Sequence, residues 1–285
     1  MPSLVEGSQA SGQLRAELAA SWGMDTGVVV AGGAGDNAAS AIGMGTIRAG
    51  SAFASLGTSG VLFAANERYL PNPESAVHAF CHAIPGTWHQ MGVILSATEA
   101  LNWFAEIAGK DSAELTAELG SRLRPPSDVV FLPYLSGERT PHNDARIRGV
   151  FAGLARTASR ADLTQSVLEG VAFAIRDSLE ALRNAGTVLE RVTAVGGGSR
   201  SQYWLQVLSS VLNMPVDVPA GGDFGAAFGA ARLGLIAAEN AEINEVCKPP
   251  PIARTIAPDP ALTGQFNDTY AKYRALYPAL KTARL

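Results

Sequence analysis

Apolar residues in this chain fall into short β-branched runs separated by longer stripes at helical spacing, and that alternation becomes regular from Val28. The run VVVA predicts a strand, the glycines at 32, 33 and 35 a turn, and the Ala-rich stretch after them a helix start. The segment SAFASLGTSGVLFAA at 51–65 predicts two short apolar strands meeting at Gly57-Thr58-Ser59-Gly60, a hairpin. A strand at 88–95 and a helix at 96–108 follow, then a looser stretch at 109–150 whose Pro125-Pro126, Pro133 and Pro141 mark it as insertion and loop. A long helix is expected from Arg160 to Asn184. It opens on Ser159-x-x-Asp162, carries Leu163, Val167, Val171, Ala174 and Ile175 on one face, and closes at Gly186.

Beyond it the pattern predicts a strand at 192–195, a helix at 200–213 opened by Ser199, a strand at 216–218 and an Ala/Gly-rich helix at 224–238. Pro249-Pro250-Pro251 then forms a stiff link to a last helix, which carries Phe266, Tyr270, Tyr273, Leu276 and Tyr277 as a stripe to pack on the domain. Before Val28 lies a polar turn and a short amphipathic helix with Leu14, Leu18 and Trp22 on one side, ending at Gly23. Strands alternating with helices imply a sheet covered on both faces, a three-layer α/β domain.

Composition narrows the class. With 47% apolar and 17% charged residues, the chain can build a sizeable core. A formal charge of −4 leaves no basic stripe for nucleic acid or an anionic membrane. Cys81 and Cys247 have no C-x-x-C spacing and read as reduced thiols. Without a signal-like start or a long apolar run, the expectation is a soluble, cytoplasmic protein.

Three elements carry candidate chemistry, and each has a plainer reading. Asp36, just past a Gly-rich turn at a helix start, reads as a general base facing a hydroxyl or as a helix cap. The Gly57–Gly60 tip offers hydroxyls and amides to a phosphate, or is an ordinary hairpin turn. Gly196-Gly197-Gly198 forms a platform for a nucleotide, or lets a strand and a helix pack tightly. Glu169 in mid-helix is read as a helix–helix or helix–loop hydrogen-bond partner. His78, His82, His89 and His142 show no metal spacing and are read as structural or cleft-lining, while Glu138, Arg139 and Asn143 lie in a polar loop that faces a cleft or solvent.

Gly33-x-Gly35-x-x-Ala38 has the form of a dinucleotide-binding turn, but no acid stands about 20 residues on to hold a ribose, and a hairpin follows where a parallel crossover is needed. An NAD-binding oxidoreductase is therefore the weakest reading. A Walker A motif is absent.

The order and spelling of these elements resemble the C-terminal half of the carbohydrate kinases known by their FGGY signature. GVFAGLARTASRADLTQSVLE at 149–169 fits the second signature of that family. SLGTSG at 55–60, ESAVHAFCHAIPGTWHQMG at 74–92 and FLPYLSGERTPHND at 131–144 are spelled like its xylulokinase branch.

The resemblance implies a three-layer actin-like ATPase (ribonuclease H-like) domain with a mixed sheet and flanking helices. Residues 1–24 would be the tail of a missing N-terminal kinase domain, and 25–285 the C-terminal, nucleotide-binding half. It also implies ATP with Mg²⁺ and a ketose substrate, D-xylulose yielding D-xylulose 5-phosphate, with glycerol, gluconate and ribulose kinases as relatives of the same architecture.

The implied roles are Asp36 as base and substrate contact, touching metal only through water, and Asn37 as a sugar contact. Gly57, Thr58 and Ser59 would hold phosphate; Gly197, Gly198 and Ser199 would hold adenosine, with Gln202 reaching the base or ribose. Alone, the half is expected to be inactive as a kinase, to bind nucleotide weakly and to self-associate as a homodimer. A non-catalytic nucleotide-binding module is the alternative.

Overall fold

The computed structural model describes residues 3–221 and 224–283. The chain opens with strand β1 (Ala10–Gln13) and helix α1 (Ala16–Trp22), and β1 pairs antiparallel with β2 (Val29–Ala31) in a two-stranded ribbon. The expected strand at Val28 therefore exists but lies outside the main sheet, held to residues that precede it. A dinucleotide turn needs its first strand inside a parallel sheet, so this pairing also removes the oxidoreductase reading. Helix α1 half-buries Leu18 and leaves Trp22 62% exposed.

Helix α2 (Asp36–Met44) leads into the hairpin of β3 (Ala52–Leu56) and β4 (Gly60–Asn66), followed by β5 (His78–Cys81) and β6 (Trp88–Ile94). Then come α3 (Thr98–Ala108), α4 (Ser112–Ala117), β7 (Val130–Leu132), β8 (Val150–Ala152) and α5 (Arg160–Asn184). The chain closes with β9 (Val192–Val195), α6 (Gln202–Leu212), β10 (Val216–Pro219), α7 (Ala226–Glu239), α8 (Ile243–Val246), β11 (Ile252–Ile256) and α9 (Thr263–Ala283).

The central sheet runs β11-β10-β9-β3-β4-β6-β5. Its centre is parallel, β3 with β9 and β9 with β10, while β4, β6, β5 and β11 extend it by antiparallel pairing. Period-2 alternation divides the hairpin residues between two cores. Ala52, Ala54, Leu56, Leu62 and Ala64 face the large core built by α3, α5, α6 and α9, whereas Phe53, Val61, Phe63 and Met91 meet Ala41 of α2 on the other face. The three-layer expectation holds. The Phe266, Tyr270 and Tyr273 stripe of α9 is buried as expected, with Leu276 and Tyr277 packed beside it.

Several elements were silent in the pattern. β5 and β11 are edge strands of four and five residues, too short and too exposed to impose alternation. The 109–150 stretch contains α4 and β7, which pairs with β8. The helix expected from 200 begins at Gln202 behind a 3₁₀ turn at Gly197–Arg200, and its cap is Ser201, whose Oγ accepts from the Trp204 amide, instead of Ser199. No helix among the described residues is long and apolar enough to cross a membrane.

Candidate active site

The carboxyl ends of the parallel strands β3, β9 and β10 open at one edge of the sheet, where ligands of α/β sheets commonly sit. A cavity of about 590 Å³ lies there against α2, lined among others by Asn37, Ser40, Ser55, Gly197, Ser199 and Arg200. A second, of about 400 Å³, lies between α3 and the glycine loop and is lined by Thr98, Leu101, Asn102, Gly198 and Trp204. Gly197 and Arg200 belong to both, so the loop divides one cleft into two rooms.

Gly35, in extended conformation, stands at the N-cap of α2, and Asp36 is the first helical residue. Asp36 is thus not the capping residue. Its exposed carboxylate stands at the positive end of the helix dipole, where negative charge is favoured. Oδ1 accepts from the Asn37 amide at 2.7 Å and from Asn37 Nδ2 at 3.2 Å, which ties the two side chains together. Asn37 itself is half-buried in the wall of the larger cavity.

The phosphate-binding candidate is a rigid tip. Gly57 and Thr58 give their carbonyls to the start of α3: Thr98 N bonds Gly57 O at 2.8 Å, Thr98 Oγ1 reaches the same oxygen at 2.8 Å, and Ala97 N bonds Thr58 O at 2.8 Å. The carbonyls face the helix, and Thr58 and Ser59 stay exposed.

The three glycines divide their labour. Gly196 has φ of +86°, and a Cβ there would lie 2.7 Å from Leu56 O; a Cβ on Gly198 would lie 2.8 Å from Leu56 Cβ and 3.0 Å from the Trp204 ring. These two serve close packing, the plainer of the readings offered for the run. Gly197 has nothing within 4 Å of its missing Cβ and is the open one of the three. Ser199 donates its hydroxyl to Gly196 O at 2.7 Å, stiffening the loop. Gln202 lines neither cavity wall; it is exposed, and its Oε1 accepts from Arg254 of β11 at 3.2 Å.

Three of the four histidines are structural. His82 Nε2 meets Thr46 O at 3.0 Å, His89 stacks on Phe63 at 4.7 Å and His142 on Tyr277 at 3.6 Å. Burial drives the pKa of each down to about 4, so all three stay neutral. Glu138, which sequence left between cleft and solvent, is buried: Oε1 accepts from the Leu95 and Arg139 amides, and burial pushes its pKa up to about 8. It fastens the 134–143 loop to the end of β6. Arg139 and Asn143 remain exposed on that loop. Among the described residues no group of three or more His, Cys, Asp or Glu side chains could hold a metal ion. Among the described residues no carboxylate lines the larger cavity, Asp36 being the neighbour of its wall residue Asn37, and a Mg²⁺ ion fits there as the companion of a nucleotide's phosphates.

A mixed sheet covered on both faces, with a Gly-Thr-Ser-Gly hairpin and a glycine loop at one end, is an α/β domain of the actin-like ATPase class. The family model described as the C-terminal domain of the FGGY family of carbohydrate kinases matches residues 52–238. The chain belongs to that family.

Its curated relatives include the xylulose kinase of Escherichia coli K12, 44% identical over 282 residues that cover 98% of this chain and 58% of the relative. That of Klebsiella pneumoniae is 44% identical over 99% of this chain and 58% of the relative. Among solved structures, one described as a xyloylose kinase from Brucella ovis is 64% identical with a TM-score of 0.96, covering 99% of this chain and 58% of that one. The xylulose kinase of Rhodospirillum rubrum is 30% identical with a TM-score of 0.88, covering 99% and 57%. The chain therefore spans less than three fifths of the length of these relatives.

Proposed function

We propose that this chain is the nucleotide-holding half of an ATP-dependent ketose kinase that converts D-xylulose to D-xylulose 5-phosphate. The observation that carries the reading is Asp36, an exposed first-turn carboxylate whose tethered neighbour Asn37 lines the cavity at the carboxyl ends of β3 and β9. The choice of xylulose rests on what the relatives are called.

In this reading the adenosine lies along the glycine loop, over Gly197 and with Gly198 beneath in the room next to α3, and Ser199 meets it from the side of the larger cavity. Gln202 joins it only by exchanging its Arg254 contact. The β- and γ-phosphates lie over the Gly57–Ser59 tip, whose Thr58 and Ser59 hydroxyls and amides donate to them. A Mg²⁺ ion bound with the nucleotide would supply charge neutralisation at the phosphates, with Asp36 reaching it only through water. The sugar's terminal hydroxyl oxygen attacks the γ-phosphorus, the bond from that phosphorus to the bridging oxygen of ADP breaks, and the hydroxyl proton passes to Asp36. Asn37 holds the carboxylate and a sugar hydroxyl in register.

Phosphoryl transfer of this kind depends mostly on positioning and charge, and the base adds about 10²–10⁴-fold. The remaining part of the relatives' length supplies the opposing wall. β1 is tied to the domain by its pairing with β2, and the 285-residue chain alone is expected to be inactive as a kinase.

The test is a chimera in which the part of the Brucella ovis kinase preceding the matched region is joined to this chain. Asp36→Asn keeps the carboxylate's shape without its basicity. It should lower kcat by about 10²-fold or more with little change in nucleotide affinity. A kcat within about threefold of the parent would remove Asp36 from the chemistry.

A further inference from the structure

Helix α2 presents Asp36 from an exposed first turn, yet nearly everything that fixes the helix lies at its other end. Ala39, Ala41, Ile42, Gly43 and Met44 are buried, while Gly35 and Asp36 are exposed. The position of the carboxylate therefore depends on what grips the last two turns. That grip comes from the sheet beneath Ala41, which packs the helix laterally, and from α7 and the segment after it, which hold its end.

Arg232 of α7 reaches the C-terminus of α2 and donates through Nη1 to Ile42 O at 2.8 Å and Gly43 O at 2.9 Å. Its Nη2 donates to Lys248 O at 2.9 Å, joining the same helix end to the segment that follows α8. The guanidinium is itself held over the Phe228 ring at 4.4 Å. The last carbonyls of a helix lack intrahelical donors, and a cation there complements the helix dipole. Gly45 N already donates to Ile42 O at 3.2 Å, so the guanidinium adds a second donor there and supplies one to Gly43 O together with the charge, and its planar fork fixes direction in a way a point charge does not.

We infer that Arg232 is a positioning residue: by clamping the C-terminal carbonyls of α2 it sets the axial and rotational placement of that helix, and through it the placement of Asp36 seven residues before Gly43. The helix rises about 1.5 Å per residue, so the clamp acts over roughly 10 Å and touches no reacting atom. The inference rests on the reading of Asp36 as base. A misplacement of about 1 Å at a reacting group costs on the order of 10²-fold, so loss of the clamp should appear in kcat and not in nucleotide binding.

The experiment is a double-mutant cycle in the chimera. Arg232→Met should lower kcat about 10- to 100-fold while both KM values stay within about twofold. Arg232→Lys, which keeps the charge and part of the hydrogen bonding, should recover much of the loss. In the Asp36→Asn background Arg232→Met should cost less than about twofold more, because a base that no longer works has no placement to lose.

The inference is overturned by an unchanged kcat in Arg232→Met, by KM values that rise as kcat falls, or by a loss that multiplies fully onto that of Asp36→Asn. Should Arg232→Met fail to fold, Arg232→Gln, which keeps an N–H donor but loses the charge and the fork, carries the cycle by the same criteria. Failure of the underlying reading is seen separately, as an active Asp36→Asn single variant.

Discussion

Gly229, on the face of α7 that meets α2, offers a sharp test of how closely those helices touch. In an exposed helix interior, Gly→Ala stabilises by about 1 kcal/mol, because alanine has less backbone entropy to lose. Here a Cβ would stand 1.7 Å from Ala39 O, 2.6 Å from Ala39 C and 3.0 Å from Gly43 N, all backbone atoms that no rotamer change can move. The helices must part by more than an ångström before the first contact becomes ordinary.

Overpacking of this severity costs about 3 kcal/mol or more. Set against the gain in propensity of about 1 kcal/mol, the net is a loss of at least about 2 kcal/mol. For a domain of this size that lowers Tm by about 4–8 °C. Gly234 on the same helix, with nothing within 4 Å of its missing Cβ, is the control, and Gly234→Ala should be neutral or slightly stabilising. Scanning calorimetry on the two variants decides it. A Tm for Gly229→Ala equal to or above that of Gly234→Ala would mean the helices are further apart than described, and the packing argument for the placement of α2 would fall with it.

Two further predictions concern the whole chain. Glu138 and Glu169, raised by burial from 4.5 to about 8, bind protons in the folded state that the unfolded chain releases. Their stabilising contribution is complete below 4.5 and lost as pH climbs through 8. His82, His89 and His142, lowered from 6.5 to about 4, contribute fully above 6.5 and progressively less as pH falls towards 4. Stability measured by denaturant unfolding should therefore peak near pH 6.5, and Glu138→Gln should flatten the alkaline side; stability rising from pH 6.5 to 8 would refute the assignment. Trp22, Met24 and Val30 are 62%, 50% and 43% exposed on the α1 and β1–β2 segment, so the isolated chain should self-associate, most simply as a twofold dimer. Light scattering that finds a monomer throughout a concentration series would refute that expectation.

What the sequence revealed, and what it hid, follows from where each signal resides. The hairpin at 51–65 and the helix at Arg160–Asn184 were legible because a turn or a capping box punctuates a strong apolar period. Their readings needed no tertiary information. The ribbon of β1 with β2 was hidden because ASGQ has no apolar alternation and forms only by pairing with Val29–Ala31. Glu138 was ambiguous for the opposite reason: a carboxylate in a polar loop looks solvated until the amides of Leu95 and Arg139 are seen to surround it. Among the site candidates, Asp36 and Asn37 come together and Gly197 is open as a platform must be, whereas Gln202 turns to Arg254. Arg232 left no trace in the pattern, since a single arginine in an Ala/Gly-rich helix has nothing local to announce its partners nearly 190 residues away.

The stretch that carries the family resemblance most specifically, 149–169, lines neither cavity of the candidate site, and its placement shows how it can still act on that site. Asp162 closes the capping box of α5 with Ser159 and takes Arg124 Nη2 at 2.7 Å, while both oxygens of Glu169 accept from the Ser127 amide at 3.1 Å. These bonds fasten the Pro125-Pro126 segment to α5, the helix–loop role expected of Glu169.

One position earlier, Leu168 O accepts the indole Nε1–H of Trp204 at 3.0 Å, and that ring is the surface on which Gly198 rests. A substitution that shifts α5 therefore moves Trp204, then the glycine loop, without any contact to a nucleotide. Leu56, whose Cβ abuts Gly198 and whose carbonyl abuts Gly196, passes the same displacement to the Gly57–Gly60 tip. The buried helix is thus the common reference for the two loops proposed to face the nucleotide, and its small and apolar residues matter to the candidate site through their position in the core.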